Sequence, residues 1–127
     1  MWASLWALPQ IDNWKGNDNM NKKFASTMRK GFHMTFENRM TASVQWGAGN
    51  YCDNHFPEDM DGFYCKRDMK SDTAEVAVIY KGELIDFIDE FIPEECSSDG
   101  TVAGYLSPEN VLYFLNKVKE FNPNKEE

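Results

Sequence analysis

The chain has 127 residues, 42% apolar and 14% aromatic, which is enough for one domain with a real core and too apolar for a disordered chain. Its formal charge of −8 is unevenly spread: residues 1–50 hold 6 Lys and Arg against 3 Asp and Glu, and residues 51–127 hold 7 against 18. An acidic body repels nucleic-acid backbones, which bind through cations that displace counterions, so neither DNA nor RNA is an expected partner.

No apolar run approaches the ~20 residues of a membrane span, so no membrane partner is expected. MWASLWALPQ at the N-terminus lacks a basic n-region and a long apolar stretch and does not read as a signal peptide. Residues 1–23, with Trp2, Trp6 and Trp14, read as an irregular arm whose indoles pack on the body or on a neighbouring subunit. Lys22 to Lys30 is the span for a short helix that Gly31 stops.

Residues 31–51, GFHMTFENRMTASVQWGAGNY, read as a β-hairpin that runs into a glycine-containing loop. Phe32, Met34 and Phe36 alternate with His33, Thr35 and Glu37. After Asn38-Arg39, Ala42, Val44 and Trp46 alternate with Thr41, Ser43 and Gln45. A period of two in both arms gives one apolar and one polar face. The second arm brings Gln45, Trp46, Gly47, Gly49, Asn50 and Tyr51 to one strand end, a set able to wrap a planar polar ligand.

A long connection, 52–60, follows, then a short strand at 62–66 and a polar loop at 68–72. AEVAVIY at 74–80 reads as a central strand buried on both sides. Lys81-Gly82 is a tight turn, 83–88 a returning strand, 88–100 a long acidic loop and 101–105 a short segment. Ser107 as N-cap, Pro108 at the first position and Glu109 in the first turn mark the start of the last helix. Val111, Leu112, Leu115 and Val118 form its stripe, widened by Phe114 and Phe121, and Asn122-Pro123 stops it before a frayed tail. The fold class is therefore α+β: an antiparallel sheet covered by a C-terminal helix, with an N-terminal arm or short helix. The whole chain is one domain, with the arm at 1–23, the body at 24–121 and the tail at 122–127. Phe36, Val44 and Leu115 are expected in one core.

The chain carries no nucleophile elbow, P-loop, HExxH or dinucleotide fingerprint, so neither a catalytic residue nor a cofactor is assigned. Cys52, Cys65 and Cys96 lack a CxxC pair and read as free thiols of a reducing compartment; Cys52, His55 and Cys65 match no closed zinc site, and no metal is expected. Trp46, Tyr51, Phe56, Phe63 and Tyr64 gather in sequence around the loop, near Arg39, Lys66 and Arg67. Rings that stack on a base and cations that neutralise phosphate are what a nucleotide site needs.

The order F-x-M-T-F-x-N, S-V-Q-W-G-x-G-N-Y, AEVAVIYKGELI and VAGYLSPENVLYFL, from Phe32 to Leu115, resembles a group of small bacteriophage proteins. The resemblance extends to the anti-Thoeris sponges, which bind cyclic ADP-ribose isomers and other cyclic nucleotide signals without cleaving them and assemble as oligomers. It implies a phage-encoded, non-enzymatic anti-defence protein in the host bacterial cytoplasm, a homo-oligomer whose ligand is a cyclic nucleotide. Under that expectation Trp46 and Tyr51 are stacking surfaces, Gln45 and Asn50 base or ribose partners, and Arg39 or Arg67 phosphate partners. Asn116 and Lys117 on the closing helix complete a site across an interface. The group has Gly after the hairpin Asn, where this chain has Arg39. The alternative is an acidic protein-binding inhibitor or DNA mimic that blocks a host factor, motivated by the charge of residues 51–127. A small hydrolase of cyclic nucleotides, lacking a catalytic constellation, ranks third.

Overall fold

The computed structural model describes residues 22–55 and 68–126. The expected arm at 1–21, the strand at 62–66, the rings of Phe56, Phe63 and Tyr64, and Arg67 lie outside these residues. In order come β1 (Phe24–Ser26), β2 (Gly31–Thr35), β3 (Thr41–Gln45), β4 (Ala74–Tyr80), β5 (Glu83–Leu84), a 3-10 turn (Ile88–Phe91), β6 (Ser97–Ser98), β7 (Val102–Leu106), α1 (Pro108–Glu120) and a second 3-10 turn (Pro123–Glu126). The strands form one antiparallel sheet in the order β1-β2-β3-β4-β7-β6, with β5 also on β4. The architecture is the α+β sheet-and-helix arrangement that the sequence patterns predict. Among the described residues no helix is long and apolar enough to cross a membrane.

One sheet face carries the core. Ala42, Val44, Val76, Val78, Ala103 and Leu106 lie under Phe114 and Val118 of α1, all buried. Ile88, Phe91 and Ile92 close the side, and the rings of Phe87, Phe91 and Phe121 meet at 5.1–5.9 Å between centroids. Val44 is buried, whereas Phe36 and Leu115 are only half-buried against the same core. Leu112, expected in the helical stripe, is 61% exposed. At 100° per residue it falls almost opposite the line through Phe114 and Val118, which sets the inward direction.

Several local expectations are corrected. Residues 22–30 do not form a helix. Phe24–Ser26 pairs with β2, and Met28 and Arg29 turn with φ of 50° and 64°. So short a segment pays the full nucleation penalty of a helix for few hydrogen bonds, while the edge of β2 offers a ready ladder. The returning strand stops at Leu84, because the chain then turns to bury Ile88 and Phe91 beneath α1. The acidic loop includes β6, the short segment expected at 101–105 is the five-residue strand β7, shifted by one residue to Val102–Leu106, and the tail forms a 3-10 turn.

The hairpin turn is docked on the far end of the helix. Asn38 Nδ2 donates to the carbonyls of Val118 and Phe121, both at 2.8 Å, satisfying acceptors that a helix C-terminus leaves open. Arg39 follows with φ of 72°, a left-handed position that disfavours a Cβ. Arg39→Gly should therefore stabilise the fold by about 1 kcal/mol. Urea denaturation checks this; a loss of stability would mean that the guanidinium makes a contact worth more than the relief of strain.

Candidate functional site

The loop after β3 is built around Asn50. Its Oδ1 accepts from Gly47 N at 2.9 Å, and its own N donates to Gly47 O at 3.1 Å, which closes the turn. Asn50 Nδ2 then donates to Glu75 Oε1 at 2.9 Å, and Tyr51 N donates to Glu75 Oε2 at 3.1 Å. One carboxylate on β4 thus clamps the loop with both oxygens. Burial pushes that carboxyl up to about 7, against the opposing pull of the two donors and of the nearby Lys30 charge.

The sheet makes room for this loop. The pairing of β4 with β7 shifts register between Ala74 and Val76, so Gly104 and Tyr105 together oppose Glu75. Tyr105, with φ of 60°, turns its N to donate to Tyr51 O at 3.0 Å. Gly104 is required here: a Cβ on it would lie 2.7 Å from Tyr51 Cβ and 2.9 Å from Tyr51 O. Beyond, the Tyr51 and His55 rings stack at 4.5 Å and His55 Nδ1 bonds Asn50 O at 3.0 Å. Asp53 is tied to Thr73 and Asn54 to the carbonyls of Trp46 and Lys70.

On the core side of the same strand end lies a cleft of about 230 Å³. Phe32, Val44, Trp46, Leu106 and Val111 form its apolar walls, Ser71, Asp72 and Thr73 its polar rim, and Pro108 at the start of α1 its edge. Trp46 is fixed: Nε1 donates to Met69 O at 2.8 Å, and Phe32 meets its ring edge-on at 6.3 Å. The cleft suits a flat, largely apolar ring with polar edges. Asp72 is the charged residue in its lining.

The nominated ligand residues divide into two places. Gln45, Trp46, Asn50 and Tyr51 come together at the cleft end of the sheet. Only Trp46 lines the cleft; Gln45 and Asn50 are buried on the other side of the strand end as loop and sheet fasteners. Arg39, at the hairpin turn, and Asn116 and Lys117, exposed in the later half of α1, lie toward the opposite end. A helix of 13 residues separates those ends by roughly 20 Å. Lys117 Nζ stands 5.4 Å from the Tyr113 ring. Sequence reasoning missed Glu75, Lys30, Phe32 and Val111. A lone carboxylate inside AEVAVIY is the signal that points to Glu75, because a charge in a two-sided strand needs partners.

Cys52 is buried, its thiol pushed up chiefly by that burial, and its Sγ lies 3.4 Å from Gly47 O. Among the described residues no group of His, Cys, Asp and Glu is arranged to hold a metal. Comparison with protein-family models, curated proteins and solved structures finds no match.

Proposed function

We propose that the protein is a phage-encoded anti-defence sponge that sequesters a cyclic nucleotide signal without cleaving it. The observation that carries this reading is the cleft walled by Trp46 and Phe32. Its volume admits one nucleobase, its indole is held in place by the bond to Met69 O, and its polar rim can meet the base edge. The phosphates would lie outside the cleft, in solvent beyond its polar rim. Neither histidine of the described residues lines the cleft: His33 lies on the other sheet face and His55 is stacked on Tyr51. That placement favours binding over turnover. A homo-oligomer belongs to the same reading, supported by the exposed Leu112 and Tyr113 on α1, and sedimentation at micromolar concentration tests it.

The test is to incubate the pure protein with a mixture of cyclic nucleotides, denature it and identify what is released. Recovery of an intact cyclic nucleotide is the expected result. Trp46→Ala should weaken that ligand by ~1–3 kcal/mol in calorimetry while the fold survives. Recovery of a cleaved product would make the protein a hydrolase. Failure to retain any nucleotide would favour a second reading, an acidic inhibitor of a host protein. That reading rests on the exposed carboxylates of Glu83, Asp86, Asp89, Glu90, Glu94, Glu95 and Asp99, which gather in one stretch.

A further inference from the structure

We propose a second binding site, on the sheet face opposite the cleft, for a neutral ligand with an amide-like or nucleobase-like hydrogen-bonding edge. The residues that define it are Thr27, His33 and Gln45. Thr27 Oγ1, His33 Nε2 and Gln45 Oε1 are all buried and all lack a hydrogen-bond partner. Thr27 and Gln45 are each 1% exposed. Buried side-chain polar atoms in folded proteins are nearly always paired, so several orphans in one patch point to a missing guest.

The register puts them in one patch. Thr27 follows Ser26, which pairs with Phe32, and its N donates to Gly31 O at 3.0 Å, so it stands opposite Gly31. Gly31 in turn pairs with Gln45, and His33 pairs with Ala25 on one side and Ser43 on the other. Alternation places Thr27, Gly31, Gln45, His33 and Ser43 on the same face. Gly31 is the floor. A Cβ there would lie 2.2 Å from Val44 O and 3.0 Å from Gln45 Cγ, so the glutamine leans across the glycine. At a strand spacing of about 5 Å, Thr27 and Gln45 flank Gly31 roughly 10 Å apart.

The atoms available define the guest. Gln45 Nε2 donates one of its two N–H groups to Ser43 Oγ at 3.0 Å, and the unpartnered atom of the amide is its oxygen, an acceptor. Thr27 offers a hydroxyl that accepts or donates. Burial holds the His33 imidazole down to about 4, hence neutral, with Nε2 an acceptor or a donor according to tautomer. The guest must therefore donate at least one hydrogen bond. The buried Lys30 disfavours a cation, and an acceptor-only anion has no donor for Gln45 Oε1. A neutral donor–acceptor edge satisfies all three atoms.

The experiment uses adenine, uracil and nicotinamide as free probes against the full chain. Binding is read by thermal shift and by the His33 ring resonances in 1H–15N spectra. At least one probe should raise Tm and move the His33 Nε2 signal. Thr27→Val, which keeps the shape and removes the orphan hydroxyl, should raise Tm of the probe-free protein and weaken that probe at least tenfold. Gln45→Leu, as a second variant, should also abolish the His33 response. Glu120→Gln, exposed at the end of α1, should leave binding unchanged. The proposal is overturned if no probe moves the His33 signal, if the only contact at Nε2 is to bound water, or if Thr27→Val lowers Tm without changing probe affinity.

Discussion

Phe114→Ala should remove about 3–5 kcal/mol of folding stability, whereas Leu112→Ala should change it by less than about 0.5 kcal/mol. Both residues are large, apolar and on the same helix, and both truncations improve helix propensity slightly. The difference is burial: Phe114 is fully enclosed between α1 and the sheet, and Leu112 is 61% exposed. Removing the ring leaves a cavity lined by core residues that the strands, locked in register, cannot collapse to fill. A small domain has only some 5–15 kcal/mol in total, so Phe114→Ala should lie close to unfolding at room temperature. Leu115→Ala, at a half-buried position, should fall between the two. Urea titrations of the three variants test the order; equal losses at Leu112 and Phe114 would mean that the outer side of α1 is also packed in solution, as in an oligomer.

What was legible in the sequence was whatever a local signal encodes. The hairpin follows from strict alternation over 32–46, and the helix from Ser107 with Pro108 at its start, whose Oγ accepts from Asn110 N as an N-cap should. On α1 Val111, Phe114, Leu115, Val118 and Phe121 pack on the core as their spacing predicts, and Leu112 alone is misplaced, because it fits a helical stripe with Val111 and Leu115 and only the sheet beneath excludes it. β1 was missed because its pairing is decided by the neighbouring edge, not by its own residues. Asn38 at the end of α1, 80 positions away in sequence, leaves no local pattern at all. At the candidate site the same division holds. Trp46 was found through the alternation that places it on the apolar face. The clamp between Asn50 and Glu75 and the patch formed by Thr27, His33 and Gln45 depend on strand register, which composition and spacing do not encode.

Glu75 should make stability fall as pH rises from about 4.5 to about 7. Its carboxyl has an ordinary value of 4.5 and is pushed up by burial to about 7 in the folded protein. Between those values the folded state holds a proton that the unfolded chain has released. The contribution is therefore fully present below the unfolded value and is lost as pH rises through the folded one. The window corresponds to a change on the order of 3 kcal/mol. Glu75→Gln removes the titration and leaves every other carboxylate in place, so the difference in stability between parent and variant isolates this group. That difference should shrink in the parent's disfavour between pH 5 and pH 8. The variant should also be less stable at low pH, because its amide nitrogen must face either Asn50 Nδ2 or Tyr51 N, both donors. Asn50 cannot rotate to relieve the clash, since its Oδ1 holds Gly47 N. Urea denaturation of both proteins from pH 5 to pH 8, with the Tyr51 amide resonance followed in parallel, measures the effect. A Tyr51 signal that titrates near 7 in the parent and not in the variant is the expected result. A stability difference that stays flat across the range would show that Glu75 is ionised throughout, with Lys30 and the two donors outweighing its burial.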